Sequence, residues 1–219
     1  MVVTIDGPSG AGKSTVSRRL ASELGFAYLD TGALYRAVAL AATVNGLEKE
    51  ESEAVIAAWL TRVDIAAKPD NGRFVVFLDD RDVEPFIRNE EIGAIASRLS
   101  AMAPVRDFLL ELQRKAGEAG DLVAEGRDMG TVVFPLAEVK IFLVADDMER
   151  ARRRYEELKS GQPDLTLETV ARELAARDER DAGRSLAPLT PARDAIVIDS
   201  TGIGVDQVVA IMREHANSA

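Results

Sequence analysis

The sequence predicts an α/β fold, a five-stranded parallel sheet with helices on both faces, and three observations carry that reading. Short apolar runs alternate with stretches of helical period along most of the chain, the pattern of strands joined by crossover helices. The first apolar run passes into a helix through a glycine-rich turn. With 219 residues, 47% of them hydrophobic, the chain can bury one sizeable core and still carry an insertion.

Val2–Ile5 reads as a buried strand ending on Asp6. Lys13–Leu24 reads as a helix, with Val16, Leu20 and Leu24 on one face and Gly25 as its stop. Between them, Gly7-Pro8-Ser9-Gly10-Ala11-Gly12-Lys13-Ser14 fits the pattern G-x-x-x-x-G-K-[ST]. A polyphosphate needs several backbone N–H groups pointing inward at once. Glycine allows the chain to wrap that tightly, because it adopts positive φ and leaves room for the anion. Lys13 then reaches the β- and γ-phosphates, and the Ser14 hydroxyl can ligate Mg²⁺. Strand, motif and helix in that order mark a nucleoside-triphosphate site on a P-loop NTPase core.

Phe26–Leu29 is the second expected strand. Asp30-Thr31-Gly32 opens a helix to about Val44, which Asn45-Gly46 ends, and a further helix is expected over Glu51–Thr61. From Val63 to Val83 the text changes to short strands, with Asp70-Asn71-Gly72 as a hairpin turn. That is a small antiparallel sheet, read as an insertion. Helices resume over Glu90–Ser100 and after Pro104, where Phe108, Leu109 and Leu112 face inward. Asp121–Glu125 is the next strand and Val139–Val144 the one after, separated by a polar loop from Gly126 to Thr131. Asp146 with Glu149 resembles a capping box for a helix to about Lys159. Ser160–Asp164 is a polar break, Thr166–Asp181 is helical, and Ala195–Ile198 and Val205–His215 close the chain as strand and helix.

The net charge of −10 argues against a nucleic-acid partner or an anionic membrane surface, which call for a cationic stripe. Cysteine is absent, so thiolate catalysis, thiolate metal sites and disulfides are excluded. No apolar run approaches the ~20 residues that span a bilayer. The first residues enter a strand directly, without a signal peptide, and a cytoplasmic location is expected. The one histidine, His215, falls near the end of the last helix, so a histidine base is not expected.

Glu125 and Asp128, at and just after a strand end, are both candidates to hold Mg²⁺ or its waters. Arg150, Arg153 and Arg154 share a helix face at i, i+3 and i+4, with Arg152 beside them. Arg177, Asp181 and Arg184 follow at i, i+4 and i+7, with Arg184 beyond the helix end. Two arginine-bearing helices around a polar break can form a hinged flap that closes on phosphates. Ordinary salt bridging with Glu149, Glu156 and Glu157 is the alternative for the first helix.

With those residues placed, the chain resembles the bacterial cytidylate (CMP/dCMP) kinases. The matching stretches are Thr4-Ile-Asp-Gly-Pro-Ser-Gly-Ala-Gly-Lys13, Leu29-Asp-Thr-Gly-Ala-Leu-Tyr-Arg36, Ala96-Ser97 and Pro104-Val-Arg106. They continue in Glu125-Gly-Arg-Asp-Met-Gly-Thr-Val-Val-Phe-Pro135, Arg177-Asp-Glu-Arg-Asp181 and Ala187-Pro-Leu189. The resemblance implies transfer of the γ-phosphate of ATP to CMP or dCMP, with Mg²⁺. It implies that Gly7 through Thr15, with Lys13 foremost, hold ATP, joined by Arg150. Thr31, Ser97, Arg106 and Asp128 would hold the cytosine end, and Arg36, Arg127 and Arg184 the phosphates. Arg177 and Asp181 would reach the acceptor's phosphate and sugar, while Arg153 and Arg154 belong to an arginine-rich lid. Glu125 stands where many members carry aspartate, and Ser14 and Glu125 are the expected metal ligands. The implied organisation is a core of about 1–35, 104–147 and 185–219, a monophosphate-binding lobe of about 36–103 bearing the β insertion, and a lid of about 148–184. A monomer is expected. A P-loop kinase acting on UMP, AMP or a metabolite is the nearby alternative. A GTPase-like switch would need an N-K-x-D-type guanine reader, which the chain lacks.

Overall fold

In the computed structural model, which describes residues 1–219, the expected elements form within a few residues of their predicted bounds. In chain order the first are β1 (Val2–Asp6), α1 (Lys13–Leu24), β2 (Ala27–Asp30), α2 (Thr31–Val44) and α3 (Glu53–Leu60). The inserted text gives β3 (Ile65–Asp70), β4 (Arg73–Leu78) and β5 (Arg81–Asp82), followed by α4 (Glu84–Ile87), α5 (Glu90–Leu99) and α6 (Ala103–Glu118). Then come β6 (Leu122–Gly126), β7 (Val139–Val144), α7 (Asp147–Leu158), α8 (Leu167–Ala182), β8 (Ile196–Asp199) and α9 (Val205–Asn217). No helix is long and apolar enough to cross a membrane. Two compact units result, residues 1–25 with 123–219, and residues 26–122.

In the first unit β1 pairs parallel with β7, and β7 parallel with β8. β6 lies along the other side of β1. All of β6, and β1 beyond Val2, is buried, as strands covered on both faces must be. α1 starts at Gly12 and stops at Gly25, which takes the left-handed conformation at φ 72°. α7 is capped by the Asp146 carboxylate, which accepts from the Met148 N–H at 2.9 Å and the Glu149 N–H at 3.4 Å. Glu149 is not a reciprocal cap: its carboxylate accepts from Arg152 and Arg153. α7 packs on α8 through Ala151, Val170 and Leu174.

The second unit departs from expectation. Over the whole chain the strands number eight and their pairing is mixed, where a five-stranded parallel sheet with a small antiparallel insertion built on it was expected. β4 pairs antiparallel with β3 and β5 but parallel with β2, Tyr28 standing opposite Arg73. The hairpin turn makes this possible. Asn71 and Gly72 both take positive φ, 46° and 78°, and the Gly72 carbonyl accepts from the Tyr28 N–H at 3.0 Å. The inserted strands therefore extend β2 directly, through β4. The core beside them gathers Leu34 and Val38 of α2, Ile56 of α3, Leu99 of α5 and Leu109 of α6.

A further departure lies after β6. Met129–Val133 forms a π-helical turn where a plain loop was expected. The Asp6 carboxylate explains it, accepting from the Met129 and Gly130 N–H groups at 2.9 and 2.8 Å. Two adjacent amides drawn to one carboxylate hold the turn wide.

Candidate active site

The glycine-rich turn in the first unit is shaped by its neighbours. Gly7 sits against the backbone of β7, where a Cβ would come within 2.1 Å of the Leu143 carbonyl oxygen. Its φ of 151° is closed to other residues in any case. Gly12 takes φ 91° and begins α1, its carbonyl accepting from the N–H groups of Thr15 and Val16. Lys13 is buried and donates from Nζ to the Pro8 carbonyl at 2.7 Å, so the lysine lies across its own loop. Burial, helped by Arg127, pushes its pKa down to about 7, with Glu125 and Asp6 pulling the other way. Asp6 is pushed up to about 6, because burial outweighs the two amides that stabilise its charged form.

Beside the loop, arginines converge on one carboxylate. Asp181, with its side chain 1% exposed, accepts from Arg127 Nε at 2.9 Å and pairs with Arg184. Burial raises its pKa, but Arg127, Arg184 and Arg177 together outweigh it and hold the group below the usual carboxylate range. Arg127 and Arg177 also act on Lys13. Five sequence-predicted residues, Lys13, Arg127, Arg177, Asp181 and Arg184, therefore belong to one electrostatic cluster, with buried Glu125 and Asp128 at the end of β6. Four cationic side chains gathered beside one loop offer donors for a polyanion.

Two of the four α7 arginines grip the loop. Arg150 is buried and donates to the Ser9 carbonyl at 2.9 Å, to Asp178 and Asp147, and to the Ala145 carbonyl. Arg153 donates to Ser200 Oγ at 3.0 Å and the Ser200 carbonyl at 2.7 Å, and reaches the Ala11 carbonyl at 3.4 Å. Arg154 instead pairs with Glu157 at 2.7 Å on its own helix, the salt-bridging alternative. Sequence reading did not single out Asp6, Asp178 or Ser200. Asp178 left a faint signal, three residues before Asp181 on the same helical face. Asp6 and Ser200 left none, since an acid or serine at a strand end is commonplace.

In the second unit, Thr31 is buried at the start of α2, which Asp30 caps. Asp30 also accepts from Arg88 at 2.9 Å. Arg36 donates to the carbonyls of Ile87 and Asn89 at 3.2 and 3.1 Å. Gly93 leaves room for its guanidinium, since a Cβ there would stand 2.9 Å from Nη1. Arg106 donates to the Ser100 carbonyl at 3.1 Å and lies 5.9 Å from the Tyr35 ring centroid. Ser97 is 4% exposed and its Oγ has no hydrogen-bond partner. A buried hydroxyl without a partner is costly and suits a ligand contact.

The family model for cytidylate kinase matches residues 3–218. A cytidylate kinase of Shewanella loihica is 47% identical over 98% of this chain and 93% of its own length. One from Stutzerimonas stutzeri is 50% identical over 95% and 91%. A solved structure of an uncharacterized protein from Eubacterium ventriosum covers 100% of this chain and 99% of that one, with TM-score 0.52 at 10% identity, a likeness of fold alone. The family match leaves neither unit outside it, and the chain belongs to the cytidylate kinase family.

Proposed function

We propose that the chain transfers the γ-phosphate of ATP to CMP or dCMP, and that the residues described above carry the reaction. The observation that bears most weight is the convergence of Lys13, Arg127, Arg177 and Arg184 beside the glycine-rich loop. An acceptor phosphate oxygen is already anionic near neutral pH, its second pKa being about 6. It attacks the γ-phosphorus, the bond to the β-bridging oxygen breaks, and ADP leaves with that electron pair. No base is required, in keeping with a chain whose one histidine lies at residue 215. The protein's task is to place two polyanions in line and neutralise the charge that develops. Lys13 and the amides of Gly7–Thr15 hold the donor, with Arg150 and Arg153 fixing the loop and Arg154 the lid surface. Arg36, Arg127, Arg177 and Arg184 hold phosphates, and Asp181 orients two of those guanidiniums and meets the sugar.

Mg²⁺ suits this donor set. An alcohol (Ser14) and one buried carboxylate (Glu125) are hard oxygen ligands, and phosphates and water complete such a shell without a three-carboxylate cluster. Bound there, it would neutralise charge on the β- and γ-phosphates.

Cytosine is read by opposites. Its N4 amine donates, and a carboxylate (Asp128) accepts. Its N3 and O2 accept, and a guanidinium (Arg106) donates, with Thr31 and Ser97 completing the contacts. Uracil, with an oxygen acceptor at C4 and an N–H donor at N3, reverses the sign at both positions and leaves buried groups unpaired. A cytoplasmic monomer is the form we infer. ADP release with Mg²⁺-ATP and a panel of CMP, dCMP, UMP and AMP tests the proposal: CMP and dCMP should be the preferred acceptors, and a preference for UMP or AMP would overturn it.

A further inference from the structure

Asp178 stands on α8 one turn before Asp181, and its carboxylate reaches the glycine-rich loop. Oδ1 accepts from the Ser9 N–H at 3.2 Å, while Oδ2 pairs with Arg150 Nη1. The same Nη1 donates to the Ser9 carbonyl at 2.9 Å. Carboxylate, guanidinium and one loop residue thus close a small ring of hydrogen bonds. The Asp178 and Arg150 side chains are 18% and 8% exposed, so solvent screens this pair far less than it screens a surface ion pair. A loop amide and a guanidinium edge are also the donors that a phosphate oxygen uses. One set of donors cannot serve both anions at once.

We propose that Asp178 is an internal competitor of the ATP phosphates: it holds the Ser9 N–H and Arg150, and must yield them when the triphosphate binds. The proposal rests on Gly7–Thr15 being the ATP loop. Asp178 then lowers ATP affinity, and its return to the loop speeds release of ADP. A residue that only anchored the loop would act in the opposite sense, since removing it would loosen the site and weaken ATP.

Isothermal titration of ATP into the full-length protein and its Asp178→Asn variant separates the two, with CMP as the control titrant. Asparagine keeps the size of the side chain and discards its charge. The variant should bind ATP about tenfold more tightly, the factor that one charge-assisted hydrogen bond no longer competed for corresponds to. Stopped-flow release of ADP should slow by a similar factor, while the Kd for CMP stays within about twofold. Asp178→Glu, which keeps the charge, should bind ATP as the wild type does. Unchanged or weaker ATP binding by Asp178→Asn overturns the proposal, and Asp178→Ser gives the same reading should the asparagine variant fail to fold. If the wild type itself bound no ATP, the loop assignment would fall first, which keeps the two failures distinct.

Discussion

Asp6 and Asp128 lie close enough to repel each other at the end of the first unit's strands, yet they differ in what they do. Asp6 serves the fold: both its oxygens are taken by the amides of the π-helical turn. Its carboxyl is raised from 3.8 to about 6, so between those values the folded chain keeps a proton that the unfolded chain has lost. Stability from this group therefore falls as pH rises through that window, and the cost is constant above it. The shift corresponds to about 3 kcal/mol. In Asp6→Asn that slope should vanish. Urea unfolding at pH 4 and pH 6.5 should show the variant gaining on the wild type by that order, whatever its absolute offset. An identical pH dependence in the two proteins would show that Asp6 is ionised throughout. Asp128, by contrast, is proposed to read the base. Asp128→Asn should reduce the ratio of kcat/KM for CMP over UMP by at least about tenfold. An unchanged ratio removes Asp128 from the base contact.

At the scale of elements, α8 does the most with the fewest residues. Its Asp178 and Asp181, one turn apart, meet the glycine-rich loop and the arginine pair respectively. Asp181→Asn leaves the partly buried Arg127 and Arg184 with one neutral acceptor between them. Removing one partner of a buried charge pair costs about 3–5 kcal/mol. Because its folded pKa is depressed, Asp181 contributes stability above its unfolded pKa and loses it as pH falls through the carboxylate range. The stability gap between wild type and variant should be wide at pH 7 and close in acid, which thermal melts at pH 7 and pH 3 would read. KM for CMP should rise as well. A gap of equal size at both pH values would mean that Asp181 acts through packing rather than charge. Except for the short α4, the helices and strands were plain in the sequence, because caps such as Asp30, Asp146 and Thr166 and stops such as Gly25 are local signals. The π-helical turn was not, since the carboxylate that shapes it lies more than a hundred residues away at Asp6. The mixed pairing was hidden for the same reason: nothing in Arg73 announces that it will stand beside Tyr28.

Across the whole molecule, the proposed roles divide between the two units. The glycine-rich loop, the arginine cluster and the α7–α8 pair belong to the first, and Thr31, Arg36, Ser97 and Arg106 to the second. The glycine-rich motif was legible because its spacing is contiguous. The grip of Arg150 and Arg153 on that loop was legible only as a shared helix face, because the partners on it, Ser9 and Ala11, lie 141 and 142 residues off. The division predicts which segments each ligand orders. ATP with Mg²⁺ should slow amide hydrogen exchange over residues 7–15 and over 150–181, where α7 and α8 flank the polar break. CMP alone should slow it over 31–36 and 97–106, where Ser97 offers an unpaired hydroxyl. Both ligands together should add protection around 127–128 and 177–184, where the arginines are proposed to hold phosphates, beyond the sum of the separate effects. Exchange over 97–106 that ignored CMP would place the acceptor elsewhere. Exchange over 150–181 that ignored both ligands would make α7 and α8 a fixed buttress of the loop rather than a lid.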